Sequence, residues 1–162
     1  MSIARALRAL LLFAALIALH FTVRPLLASR AAVDFLILAL LLASVRVRPG
    51  AAAVVGFVLG LVLDSLRPGT FGAASLAMTL VGYAASWLKP VFFADNLPLN
   101  AFFFFVGKWL FDVVYLSVGE RLRGSELVMQ LLLWSPLAAA LTALVGVLLL
   151  IVARPWTEAR ST

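Results

Sequence analysis

Between Glu126 and Arg154 the chain carries no charged residue, and apolar side chains dominate the interval. That run exceeds the roughly 20 apolar residues a helix needs to cross a bilayer core. Backbone in lipid must satisfy its own amides, which leaves only helices or a closed barrel. Five shorter apolar runs precede it. The six segments read Ala6–Val23, Ala31–Val45, Ala51–Leu66, Thr70–Leu88, Leu97–Val118 and Glu126–Ala153. Arg24-Pro25, Arg46 to Gly50, Arg67-Pro68-Gly69 and Lys89-Pro90 stop the first four, and Pro136 is the expected kink of the sixth.

Composition agrees. Hydrophobic residues make up 65% of the chain and charged ones 12%, with a mean hydropathy of +1.14. Soluble domains hold about 45–50% apolar and about 25% charged residues. The expectation is an all-α integral membrane protein, a compact bundle of six transmembrane helices in a single domain over residues 1–162. There is no cysteine, so disulfides and thiol chemistry are excluded. A net charge of +6 raises nucleic acid as a partner, but the 11 arginines and 2 lysines are scattered at segment ends. No basic stripe exists to bind a phosphate backbone.

Six spans put both termini on one side. With the N-terminus inside, Arg5, Arg8, Arg46, Arg48, Lys89, Arg154 and Arg160 lie in the cytoplasm, against Arg24, Arg30, Arg67, Arg121 and Arg123 outside. Seven against five favours cytoplasmic termini under the positive-inside rule. Arg5 and Arg8 before LLFAALIAL resemble a signal peptide. His20 and Arg24 break that run and no small-x-small cleavage site follows, so an uncleaved first span is expected.

In this orientation His20, Asp34, Asp64 and Asp112 fall in the outer half of four different spans. Lys108 and Asp112 lie ~16 and ~22 Å along the fifth span at 1.5 Å per residue. Charges at such depth are costly and usually pair or serve a function. Each has a plain reading. Lys108 and Asp112, four apart, can neutralise each other. Asp34, close to Arg30, can sit at headgroup level, and His20 can be a hydrogen-bonded packing residue. Asp64 can cap a helix or pair with Arg67 at the turn. Together, His20, Asp34, Asp64, Arg67, Lys108 and Asp112 suggest an outward polar surface or pocket. One histidine and no cysteine argue against a metal site.

Gly56 and Gly60 form a small-xxx-small pair, which lets another helix backbone approach closely. Ala14/Ala18, Ala73/Ala77, Gly82/Ser86 and Thr142/Gly146 repeat the spacing, so tight packing is expected. The Phe102–Phe105 run is expected to face lipid or a partner. No HExxH, GxSxG, P-loop or clustered-aspartate motif is present, so neither an enzyme nor a cofactor is expected.

The stretch GFVLGLVLDSLRPGTFGAASLAMTLVGYAASWL, residues 56–88, has Gly-x-x-x-Gly-Leu-x-x-Asp, a short turn, Gly72, and the Leu-Val-Gly-Tyr of Leu80–Tyr83. With the length and span layout, it resembles the rod shape-determining protein MreD family. The resemblance implies a non-enzymatic multi-pass protein of the bacterial inner membrane. Such proteins partner MreC, a bitopic protein with a periplasmic coiled coil. They act with the actin-like MreB, the glycosyltransferase RodA and a class B penicillin-binding protein in lateral peptidoglycan synthesis. The family is also similar in fold to the substrate-binding S-components of energy-coupling-factor vitamin transporters. That kinship supplies the alternative, a vitamin-uptake subunit. The outer loops Arg24–Arg30, Arg67–Gly69 and Gly119–Ser125 hold no Trp, Tyr, Asn or Gln to capture a polar molecule, which favours the scaffold.

Overall fold

The computed structural model describes residues 3–27, 33–92, 96–119 and 124–158, and all regular structure among them is helical. Arg30, Arg121, Arg123 and Arg160 of the orientation count lie outside the described residues, as do the side chains of Arg5, Arg8, Arg24 and Arg154.

Helix α1 covers Ile3–Leu27, α2 Phe35–Ser44, α3 Pro49–Ser65, α4 Ala73–Phe92 and α5 Leu97–Val118. The last apolar run forms α6 (Ser125–Met129), a π-helical stretch (Gln130–Trp134) and α7 (Ser135–Glu158) in succession. Pro136 explains the change of pitch. It has no N–H for the Leu132 carbonyl, and a widened turn accommodates the interrupted ladder. The expected kink is therefore a π-helical stretch. Leu97–Val118 and Ser125–Val152 are long and apolar enough to cross a membrane, whereas Leu11–Val23, Phe35–Ser44 and Pro49–Ser65 are shorter apolar segments.

Helix α2 is the centre of the molecule. Leu36 through Leu41 are each 0% exposed, and α1, α3, α4, α5 and α7 all pack on it. Its sequence, FLILALLLAS, is apolar on every side, and a helix with no polar face belongs inside. Its 10 residues make it only ~15 Å long, half of a bilayer core. The expected span Ala31–Val45 is thus a short buried post. It starts late because Asp34 is its N-cap, with Oδ1 accepting from the Ile37 amide at 3.4 Å. Asp34 is consequently buried inside the bundle.

Helices α3 and α4 form the tightest pair. Ala52, Gly56, Gly60 and Asp64 follow one another at four-residue steps and are all buried. A Cβ on Gly56 would stand 2.2 Å from the Met78 carbonyl oxygen, and one on Gly60 would stand 2.3 Å from Ser75 Cα. From the other side, a Cβ on Gly82 would meet the Ala52 carbonyl oxygen at 2.6 Å. The turn between the helices is a 3-10 segment, Pro68–Thr70, followed by Gly72 at φ +95°, where a side chain would be strained. Helix α4 then runs through Lys89-Pro90 to Phe92, beyond the expected end at Leu88. Pro90 stands in its last turn, where it leaves the Ser86 carbonyl without a helical N–H donor, and α4 ends two residues later.

The Phe102–Phe105 run divides between the two sides. Phe102 is exposed, Phe103 and Phe104 are buried, and Phe105 is intermediate. Four consecutive helical residues sweep about 300°, so the four rings cannot share one face.

Candidate functional site: a buried charge cluster

Four ionisable side chains from three helices meet beside α2. Lys108 on α5 donates to Asp112 Oδ1 at 2.5 Å, one turn on, and to Asp34 Oδ2 at 3.3 Å. His20 on α1 places Nδ1 3.3 Å from Asp34 Oδ1 and 3.3 Å from the Leu36 amide nitrogen. All four are buried, none more than 9% exposed. Thr142 of α7, 0% exposed, adds a hydroxyl that accepts from the Asp34 amide at 3.2 Å. The Lys108 ammonium also lies 5.0 Å from the centre of the Phe111 ring.

Asp34 is the hub. One carboxylate oxygen serves the α2 cap and His20, and the other serves Lys108. Burial explains why the groups converge. An isolated charge in low dielectric is prohibitive, whereas paired and hydrogen-bonded charges are tolerated. His20 Nδ1 accepts the Leu36 N–H beside Asp34, which ties α1 to the start of α2. The cluster closes α1, α5 and α7 onto the end of α2, and its members face one another.

Asp64 belongs to a second arrangement. Its carboxylate accepts from the Ala74 and Ser75 amides, at 3.1 and 2.9 Å, and from Ser75 Oγ at 2.5 Å. It caps the first turn of α4 across the hairpin, where backbone donors and the helix dipole favour an anion. Arg67 takes neither role. It donates from Nη1 to Tyr115 Oη at 3.1 Å, and Thr70 Oγ1 lies 3.4 Å from the same hydroxyl. The six candidates thus divide into a cluster of four, a cap, and an exposed arginine at the α3–α4 turn. Thr142, Ser75 and Tyr115 are partners that charge-based reading passes over. A signal for Ser75 existed, because the four-residue stripe through Gly56 and Gly60 aims Asp64 at the start of α4.

The cap gives a first expectation. Asp64→Ala leaves two buried amides without acceptors and should destabilise the chain by about 1–3 kcal/mol. Asp64→Asn should lose much less, since asparagine also caps. Unfolding by SDS titration in mixed micelles reads both. Equal losses would mean that the charge, and not the acceptor, is what α4 requires.

The sequence profile of the rod shape-determining protein MreD matches residues 2–154. The chain belongs to the MreD family. MreD membership ties it to rod shape determination, and the family is a membrane-protein family of the bacterial cell-shape system. Within the MreD match fall all six candidate residues and the glycine stripe. No curated protein and no solved structure matches the chain.

Proposed function

We propose that the protein is a non-enzymatic, multi-pass scaffold of the bacterial inner membrane that binds MreC within the bilayer. Through MreC it helps to organise lateral peptidoglycan synthesis with MreB, RodA and a class B penicillin-binding protein. In this reading α1 to α5 and the α6–α7 rod are six spans of one domain, arranged as in S-components, with both termini cytoplasmic. Family membership over residues 2–154 carries the assignment.

The geometry refines which groups meet a partner. His20, Asp34, Lys108 and Asp112 are buried and turned toward one another, and Asp64 is buried against the start of α4, so all five shape the bundle from within. Arg67 is exposed at the outer turn, beside Leu66 and Phe71, which are 61% and 66% exposed. A charged group ringed by large apolar side chains suits the juxtamembrane part of a helical partner. The transport alternative has less support, because the ionisable groups face one another and not a cavity.

Co-purification from mild detergent tests the proposal. Arg67→Glu with Phe71→Ala alters exposed side chains and breaks only the exposed Arg67–Tyr115 bond, and should lower MreC recovered per folded chain severalfold. Undiminished MreC would remove the outer turn from the interface. A depletion strain that keeps its rod form would remove the elongation assignment itself.

A further inference from the structure

Where α2 passes into α3, the Val47 carbonyl accepts from Ser86 Oγ at 2.7 Å and from Lys89 Nζ at 3.0 Å. These bonds hold the α2–α3 loop against the last turns of α4. Arg46 and Arg48, on either side of Val47, are exposed at that same end. Three cations are thereby gathered, and among the described residues none of them is in an ion pair. Lys89 has three donors, of which the Val47 carbonyl uses one.

The adjoining face of α4 forms one wall of an apolar cleft. Ala84, Ala85 and Leu88 line it on α4, Phe102 and Gly107 on α5, and Leu41 of α2 lies at its floor. A Cβ on Gly107 would meet Leu41 Cδ2 at 2.7 Å, so the Leu41 side chain would have to move aside. Its lower end, at Leu88, is one residue from Lys89. The apolar slot and the cationic group thus adjoin along the last turns of α4.

We propose that this cleft and rim bind one anionic phospholipid, with an acyl chain along α4 and α5 and the phosphate at Arg46, Arg48 and Lys89. Each half recognises a different part of the ligand. Guanidinium groups present paired donors to phosphate oxygens, and the lysine adds a point charge. Three unpaired cations favour a headgroup with net negative charge over a zwitterion, whose own ammonium offsets its phosphate. Basic sites between helices at the cytoplasmic surface recognise anionic lipids in this way. A free phosphate would leave the cleft unfilled, and a second protein helix would leave the three charges unmatched. The inference rests on the membrane reading above.

Native mass spectrometry of the full chain in mild detergent tests it, with phosphatidylglycerol and phosphatidylcholine of equal chain length added in turn. Retention of phosphatidylglycerol should be greater on the order of tenfold or more. Arg46→Gln with Arg48→Gln breaks no hydrogen bond of the fold, and should remove most of that preference. Ala84→Phe should lower retention by filling the cleft while leaving the cations intact. Inorganic phosphate should not displace the lipid, and displacement would assign the rim to a soluble anion. Equal retention of the two lipids, or an unchanged preference in the double-arginine variant, overturns the proposal. Resistance of the chain to alkaline carbonate extraction reads the membrane assignment separately. A carbonate-resistant protein without lipid preference would sink this site alone.

Discussion

Lys108→Met is expected to destabilise the folded chain by about 3–5 kcal/mol, the usual consequence of removing one partner from a buried ionic group. Lys108 is the cation that both Asp34 and Asp112 share. Without it, two carboxylates face each other in the interior with His20 as their remaining basic neighbour. The α2 cap and the seam between α1 and α2 both pass through Asp34, so the damage should extend beyond α5. SDS titration monitored by circular dichroism measures the loss. Combining Lys108→Met with Asp34→Asn and Asp112→Asn should recover most of it, since asparagine still caps α2 and no buried charge is left unpaired. If Lys108→Met alone unfolds at the wild-type SDS fraction, the cluster contributes nothing to the fold. A partner or ligand would then be the better reason for burying it.

A leucine at Gly60 or Gly56 should do comparable harm by a different route. The space that a Cβ would need at either position is occupied by α4 backbone, which cannot rotate aside as a side chain can. The helices must separate, and at Gly60 the separation moves Ser75, which donates both its amide and its hydroxyl to Asp64. Overpacking ordinarily costs about 1–3 kcal/mol, and coupling to the Asp64 cap should put Gly60→Leu at or above the top of that range. Gly60→Ala should already be measurable. Gly50 is the control, because nothing lies within 4 Å of a Cβ placed there. Gly50→Ala should leave stability unchanged or slightly improved. Equal behaviour of Gly50→Ala and Gly60→Ala would contradict the close α3–α4 approach.

Much of the helical layout is legible in hydropathy, although α1 and α4 run on through the expected stops at Arg24-Pro25 and Lys89-Pro90 to Leu27 and Phe92. The bounds of α3 and α5 follow from Arg48-Pro49 and from Pro98 and Gly119. Hydropathy does not report where in an apolar run the helix begins. Val33 looks like span, yet the helix waits for Asp34, whose capping oxygen decides the start of α2. An aspartate just before Phe-Leu-Ile-Leu is a cap signature, so the information was present in a form that run-length counting ignores. The charge cluster was half legible. The Lys108–Asp112 pair follows from spacing, but Asp34 is 74 residues from Lys108 and Thr142 is 108 from Asp34, separations that only the fold can close. Asp64 shows the converse. Its role follows from the stripe it shares with two glycines, a local pattern that spells out a tertiary contact.

The burial of α2 bears on how the chain is made. A helix with Leu36 through Leu41 wholly enclosed has no surface left for lipid, and two of its walls, α5 and α7, lie more than fifty residues downstream. Synthesis from the N-terminus delivers this helix long before those walls exist. Until Leu97 and the residues after it exist, only α1, α3 and α4 can pack on its leucines, and Asp34 has no ammonium to meet. The enclosure of α2 is therefore complete only when late helices have closed around an early one, and the Lys108–Asp34 contact can form no sooner.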